Sequence, residues 1–294
     1  MKKVLLGLLG LVVVSAIGLL GYVIYNELAN PENMGEAIPV DASSQSSSQS
    51  QSQSQAQAEI RLHDMRAVET TTEILSAISH EMTQNRHTVG WLNITDTKIS
   101  NSVVQADNNA YYLNVNERGE ADIFGAYFAD YTCNFGNRSE LSANTVIYGH
   151  SDVSGTEDQP DARRFSQLFK YTDYEFARTH PVLTFSTPQE TMTWQVFAVY
   201  YTDLDLDFTR TEMDGTALVE LANSAKARSI YDYGVTVDEN DKIISLVTCT
   251  LKYGKDSRSQ VRYVVAAKLL DEGETPVNIT QLKQNENPLQ PSIK

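Results

Sequence analysis

The chain has 294 residues, and 23 basic against 38 acidic side chains give it a formal net charge of −15. Proteins that hold phosphate backbones need clustered positive charge, so this composition argues against a nucleic-acid partner. Hydrophobic residues make up 41% of the chain and aromatic residues 9%, which is enough to bury a core and excludes a wholly disordered protein. Cys133 and Cys249 stand far apart with no Cys-x-x-Cys pattern, so neither a disulfide-stapled miniprotein nor a structural zinc site is expected.

An apolar segment without charges occupies residues 4–25. At about 1.5 Å rise per residue, a helix of this length spans the roughly 30 Å hydrocarbon layer of a membrane. Lys2 and Lys3 precede it, so the positive-inside rule predicts residues 1–3 in the cytoplasm and the rest of the chain outside the cell. A cleaved secretory signal is the alternative, although its apolar region is usually about 7–15 residues long. We therefore expect a single-pass anchor in the cell membrane.

The remaining chain divides into a linker, a folded domain and a tail. Residues 26–58 contain a run of Ser and Gln with nothing to bury, which predicts a flexible linker. The folded domain is predicted over residues 59–272. Residues 273–294 are polar and contain several prolines, which predicts a tail that frays.

Periodicity predicts the elements of the folded domain in chain order. Apolar residues at steps of three and four from Met65 to Met82 predict an amphipathic helix that ends near Arg86. A second helix, capped by Asp214, is predicted to run to Ile230 between two late strands. Between and after these helices lie short β-like runs at 89–94, 102–105, 111–115, 122–127, 145–148, 182–186, 193–201, 242–248 and 261–269. This order predicts a mainly β fold, either a barrel or a sandwich.

Three residues at the ends of predicted strands could carry chemistry. His150 ends the run NTVIYGH, Cys249 ends DKIISLVTC and Arg262 begins RYVV. Each alone is weak evidence, since a cysteine in such a strand is more often a packing residue and a terminal arginine is usually solvated. Together they supply the parts of acyl transfer: a thiolate nucleophile, an imidazole that donates a proton to the leaving amine, and a guanidinium for the oxyanion. Arg258, in the polar loop KDSRSQ, is the alternative to Arg262, which we prefer because a strand holds geometry better than a loop.

These motifs, in this order, resemble the class B sortases, the membrane-anchored cysteine transpeptidases of Gram-positive bacterial surfaces. The segments that carry the resemblance are VGWLNI, TKI, VVQADNNAYYL, NTVIYGH, FSQLFKY, DKIISLVTC and RYVV. The resemblance implies an eight-stranded β-barrel with an N-terminal helix and a helical insertion between late strands. It also implies His150, Cys249 and Arg262 as catalytic residues, with no cofactor and no metal. The sequence departs from the family pattern at Val247, where the family usually has a serine two residues before the cysteine.

By the same resemblance, the protein is expected to cleave a sorting motif in exported proteins through a thioester on Cys249. The acyl group would then pass to an amine of a peptidoglycan precursor or of a pilin. Two alternatives stay open: a cysteine endopeptidase that gives the acyl group to water, and a surface binding module whose catalytic set is idle, with Val247 as a sign of decay. Cys133 is either free or bonded to Cys249, and that bond would block the nucleophile.

Several other polar residues have less specific interpretations. The acidic run at residues 157–161 lacks the ligand spacing of a calcium loop, which favours a solvated loop. The remaining histidines are expected to have surface or packing roles, since no nucleophile stands near them in the motifs: His63, His80, His87 and His180.

Overall fold

The computed structural model describes residues 71–277 and 282–293. The described residues all belong to one compact unit. The predicted anchor at residues 4–25 and the linker at 26–58 lie outside the described residues. Within the described part, none of the helices combines the length and the apolar character that crossing a bilayer requires.

Ten strands and three α-helices make up the described part. The strands are β1 (Thr88–Asn93), β2 (Ser100–Val104), β3 (Tyr127–Ala129), β4 (Asn144–Tyr148), β5 (Val182–Ser186), β6 (Thr193–Asp203), β7 (Tyr231–Asp232), β8 (Ile243–Cys249), β9 (Val261–Leu269) and β10 (Lys283–Gln284). The helices are α1 (71–84), α2 (Tyr174–Thr179) and α3 (Gly215–Arg228). Short 3-10 helices occupy Tyr111–Leu113, Arg164–Thr172 and Asp256–Ser259.

Eight of the strands close into a barrel in the order β1-β2-β3-β4-β8-β9-β6-β5, and β5 pairs with β1 to complete it. The predicted mainly β, eight-stranded barrel with a helix inserted between late strands is therefore confirmed. The β4–β8 pair is parallel and in register up to Tyr148 and Val247. Because parallel strands finish at the same edge, the residues that follow β4 come to lie beside the last residues of β8.

The central strands are buried on both faces. Every residue of β8 before Cys249 is buried, as is most of β9, and continuous apolar runs are typical of strands covered on both sides. Trp194 on β6 is fully buried, and its indole nitrogen donates a hydrogen bond to the carbonyl of Phe185 at 3.1 Å. This dense packing gives the strand ends a rigid frame.

Two of the predicted strands are wrong. The run 111–115 begins with a 3-10 helix, because the Asn108 side chain accepts hydrogen bonds from the backbone of Ala110 and Tyr111 and turns the chain. The run 122–127 contributes only its last residue to β3. Gly125 there adopts φ +53°, a left-handed conformation that ends extended structure.

Both predicted helices are present in the described part, although residues 65–70 of the first lie outside it, whereas residues 282–293 differ from the frayed tail that we expected. The Asp214 carboxylate accepts from the backbone N–H of Ala217 at 2.9 Å, which is the predicted N-cap of α3. Most of residues 282–293 are exposed, but hydrogen bonds hold the segment to the domain, so it does not fray. Strand β10 pairs with β7, and the backbone N–H of Ser292 donates to the Asp203 carboxylate at 2.7 Å. The polar composition did not predict that this segment is attached to the domain, because it is held by backbone and capping hydrogen bonds more than by apolar burial.

Candidate active site

Two cavities meet where β4 and β8 end. Cavity 1, of about 240 Å³, is lined by Asn109, Leu113, Phe128, Tyr148, Gly149, His150, Val247, Thr248, Cys249 and Arg262. Cavity 2, of about 470 Å³, is lined by Ile123, Phe124, His150, Ser151, Asp152, Val153, Ser154, Cys249 and Arg258. His150 and Cys249 line both, and all three site residues predicted from the sequence line cavity 1.

Strand register brings these residues together. Cys249 is the last residue of β8, and its partner in the antiparallel β8–β9 pair is Arg262. Side chains directly opposite each other in such a pair have their Cβ atoms about 4.5–5.5 Å apart. His150 follows β4, which runs parallel to β8 and ends beside it. Three segments distant in sequence therefore place a thiol, an imidazole and a guanidinium at one edge of the barrel.

Hydrogen bonds lock the ends of β4 and β8 to each other. The Thr248 hydroxyl donates to the Gly149 carbonyl at 2.7 Å, and the Ser151 hydroxyl donates to the Cys249 carbonyl at 2.7 Å. A Cβ on Gly149 would lie 2.8 Å from the ring of Phe165, so only glycine fits beneath that aromatic side chain. The backbone positions of His150 and Cys249 are consequently fixed relative to each other.

The imidazole of His150 is oriented by a backbone carbonyl. Its Nε2 lies 2.8 Å from the carbonyl oxygen of Leu113. Because a carbonyl only accepts, Nε2 carries the hydrogen, and in the neutral tautomer Nδ1 is the nitrogen that can take up a proton. Sequence reasoning missed Leu113, since a main-chain acceptor leaves no residue-type signal and the segment was predicted as a strand.

Both candidate arginines lie near Cys249, but on different cavities. Arg262 lines cavity 1, and its Nη1 donates to the carbonyls of Arg258 at 3.0 Å and Val261 at 2.9 Å. Arg258 is exposed on the 3-10 helix Asp256–Ser259 and lines cavity 2. Arg262 thus has a strand position opposite the thiol, and its planar guanidinium offers several fixed donors.

The wall of cavity 1 contains a network that the sequence did not reveal. Tyr148 donates to the Asp130 carboxylate at 2.9 Å, and the amide of Asn109 donates to the same oxygen at 2.7 Å. Burial alone would raise the pKa of the Asp130 carboxyl. The hydrogen bonds that it accepts have the larger combined effect and hold this pKa below its usual value; the donors are Thr132, Asn109 and Tyr148. The ionised carboxylate therefore fixes the side chains of Tyr148 and Asn109 in the wall.

The acidic run at residues 157–161 was expected to be a solvated loop, but one of its carboxylates, Asp158, binds the residues after Cys249. The Asp158 carboxylate accepts from the Thr250 hydroxyl and from the backbone N–H of Leu251, both at 2.6 Å. These two residues follow Cys249 directly, so the carboxylate ties the loop after β4 to the loop after β8. Burial raises the pKa of Asp158 despite the two hydrogen bonds.

Of the other histidines, those described line neither cavity, and His80 is exposed on α1. His87 contacts the Tyr112 hydroxyl through Nδ1 at 3.0 Å. His180 stacks on Phe176 and lies 2.9 Å from an Asp96 carboxylate oxygen. These contacts agree with the packing and surface roles predicted for them, while His63 lies outside the described residues.

The two cysteines are both free thiols in different surroundings. Cys133 is buried, and its sulfur accepts a hydrogen bond from the backbone N–H of Val146 at 3.3 Å. Burial raises the pKa of Cys133 to about 12. Cys249 is partly exposed and lines both cavities. Of the two possibilities left open for Cys133, the structure has the free thiol.

This contrast predicts selective alkylation of the native protein. Because a thiol is reactive only as its thiolate, and a raised pKa keeps Cys133 protonated well above neutral pH, iodoacetamide should modify Cys249 alone. In denaturant both cysteines should react. Peptide mapping by mass spectrometry measures the two rates, and equal labelling of Cys133 and Cys249 in the folded protein would contradict the expectation.

Comparison with known proteins agrees with this geometry. The Sortase domain family matches residues 92–270. Sortase B of Listeria monocytogenes is 33% identical over 219 residues, which cover 71% of this chain and 83% of the relative. Sortase B of Staphylococcus aureus is 27% identical over 187 residues, covering 63% of this chain and 71% of that protein. The crystal structure of S. aureus sortase B aligns with a TM-score of 0.57 at 27% identity, over 66% of this chain and 86% of the other.

The chain therefore belongs to the sortase family of cysteine transpeptidases, and its relatives place it in class B.

Proposed function

We propose that this sortase cleaves a sorting motif in an exported protein, holds the acyl part on Cys249 and transfers it to an amine of a peptidoglycan precursor or of a pilin. The observation that carries the proposal is that His150, Cys249 and Arg262, from three separate segments, line a single cavity. A thiol, an imidazole and a guanidinium at one cavity are the groups that acyl transfer through a thioester requires.

In the first half of the proposed reaction, the Cys249 thiol passes its proton to Nδ1 of His150 as the sulfur attacks the carbonyl carbon of the scissile peptide bond. A C–S bond forms, the carbonyl electron pair moves to oxygen, and the Arg262 guanidinium stabilises that negative charge. The tetrahedral carbon then collapses, the C–N bond breaks, and His150 gives a proton to the departing amine. The Leu113 carbonyl keeps the imidazole in place for this transfer.

Val247 gives cavity 1 an apolar wall beside the nucleophile. It is buried, and it lines the cavity together with Phe128 and Tyr148. The departure from the usual serine therefore removes a hydroxyl from the place where the acyl part of the substrate would lie. Under the proposed mechanism this changes which sorting motif fits and leaves the reacting groups intact.

We also propose that residues 4–25 anchor the protein in the cell membrane, with residues 1–3 in the cytoplasm and the barrel outside. The length of the apolar segment and the two preceding lysines support this orientation. N-terminal sequencing of protein from membrane fractions tests it. A chain that starts at Met1 is expected, and a mature chain that begins near residue 30 would show that the segment is a cleaved signal.

The proposed activity is tested by incubating the protein with a library of candidate motif peptides, with and without an added primary amine. Mass spectrometry of the products is expected to give a peptide–amine conjugate when the amine is present. Hydrolysis product alone, at every amine concentration, would identify a cysteine endopeptidase. Neither product nor covalent adduct from any peptide would identify an idle, sortase-like binding module.

A further inference from the structure

We propose that cavity 2 is the entry site for the amine acceptor and that Asp152 binds this acceptor as a cationic primary amine. The inference rests on the proposed function, because it assigns the second substrate of the same site. Cavity 2 is lined by Cys249 and His150 but not by Arg262.

The distribution of functional groups between the cavities assigns the two substrates. Cavity 1 contains Arg262, which would hold the carbonyl oxygen, and the apolar wall around Val247. Cavity 2 contains His150 and Cys249 without Arg262. The departing amine receives its proton from His150, and the incoming amine returns one to the same imidazole, so both occupy the side that the histidine serves. His150 lines both cavities, and because the carbonyl oxygen would lie beside Arg262 in cavity 1, cavity 2 is the side left for the amine, with about twice the volume of cavity 1.

The charge of cavity 2 favours an ammonium group at one wall. Apart from the reacting pair His150 and Cys249, the lining has one acidic side chain, Asp152, and one basic side chain, Arg258. Hydrogen bonds from the side chain and backbone of Ser154 hold the pKa of Asp152 below its usual value, with a smaller contribution from Arg163. Asp152 is therefore a carboxylate. Its removal leaves Arg258 unbalanced and changes the summed formal charge of these two side chains from zero to +1.

The wall that carries Asp152 is held firmly against the nucleophile. The backbone N–H of Asp152 donates to the Ser166 hydroxyl at 2.7 Å, and the preceding residue, Ser151, donates to the Cys249 carbonyl at 2.7 Å. Farther along the same loop, Asp158 binds both residues that follow Cys249. The backbone of Asp152 is therefore fixed relative to the backbone of Cys249, the residue on which the thioester would form.

In the proposed step, the ammonium bound near Asp152 loses one proton to solvent, and the neutral amine attacks the thioester carbon. The C–N bond forms, and the second proton passes from the amine nitrogen to His150. The C–S bond breaks with its electron pair on sulfur, and Cys249 is released as a thiolate that can take the proton back from His150. No oxidant or further reactant is needed.

The test compares two acceptors on the same acyl-enzyme, formed from a motif peptide that the wild-type protein cleaves. Glycinamide is largely cationic at neutral pH, whereas hydroxylamine is largely neutral. For each acceptor the ratio of transfer product to hydrolysis product is measured. This ratio does not depend on how fast the acyl-enzyme forms. The variants are Asp152→Asn and, as a matched control, Glu157→Gln, which removes an exposed carboxylate from the same loop but outside the lining of both cavities.

Asp152→Asn is expected to lower the glycinamide ratio about fivefold, the size of one exposed ion pair, and to leave the hydroxylamine ratio unchanged. Glu157→Gln should change neither ratio. Added salt should lower the wild-type glycinamide ratio and have little effect on the variant. An unchanged glycinamide ratio, an equal decrease for both acceptors, or the same loss in Glu157→Gln would overturn the assignment of Asp152. Failure of every peptide to form an acyl-enzyme would instead overturn the proposed function, and the inference with it.

Discussion

Replacing Cys249 with alanine is expected to lower the transfer rate by at least about 10³-fold, because it removes the thiol on which the thioester forms. Cys249 ends a strand at the rim of the barrel and is partly exposed. Its side chain therefore contributes little to the core, and the variant should stay folded. The rate of peptide cleavage and the circular dichroism spectrum, measured on the same sample, test the two halves of this expectation.

Cys133→Ala is the matched control, since it removes the other thiol of the chain. Cys133 is buried in the core and lines neither cavity. This variant should retain transfer while losing stability, by about 1–2 kcal/mol for a small buried side chain. Normal turnover by a well-folded Cys249→Ala protein, or loss of transfer only in Cys133→Ala, would rule out the thioester mechanism.

The second large effect is expected at Arg262. Arg262→Ala should slow formation of the acyl-enzyme by about 10²–10³-fold, which is the usual cost of removing one group that stabilises an oxyanion. Arg262→Lys keeps the charge but loses the planar fork of donors, so it should restore only part of that loss. Single-turnover measurement of the acyl-enzyme isolates this step from later transfer.

The competing arginine provides the decisive comparison. Arg258 is exposed on a 3-10 helix and lines cavity 2, whereas Arg262 is the strand partner of Cys249. Arg258→Ala should therefore slow acylation far less than Arg262→Ala does. If Arg258→Ala slowed acylation more than Arg262→Ala, Arg258 would be the residue that stabilises the oxyanion, and the choice of the strand residue over the loop residue would be wrong.

The barrel was largely predictable from the sequence because its central strands have a strong local signal. The strands Val182–Ser186 and Val261–Leu269 match their predicted bounds, since each is an apolar run bounded by polar residues or by proline. Asp214 marked the start of α3 through capping chemistry alone. The errors at 111–115 and 122–127 arose where asparagine and aspartate side chains bind the local backbone and override an alternating pattern.

The site was only partly predictable. Sequence placed His150, Cys249 and Arg262 at strand ends, but only the β4–β8 and β8–β9 registers bring them to one cavity. The supporting contacts depend on tertiary structure. The contact from Leu113 is made by its backbone carbonyl, which every residue type has, so the sequence does not mark it. Asp158 cannot be told from other acidic loop residues in the sequence, because its hydrogen bonds to Thr250 and Leu251 form only in the folded chain.

Under the proposed mechanism, Cys249 carries the acyl group of a cleaved peptide at the rim of the barrel. Intact-mass measurement during turnover, followed by peptide mapping, detects this acyl-enzyme. We expect a mass increase equal to the acyl part of the substrate, located on Cys249 and discharged when a primary amine is added. Turnover without any adduct on Cys249, or with the adduct on another residue, would show that Cys249 is not the nucleophile.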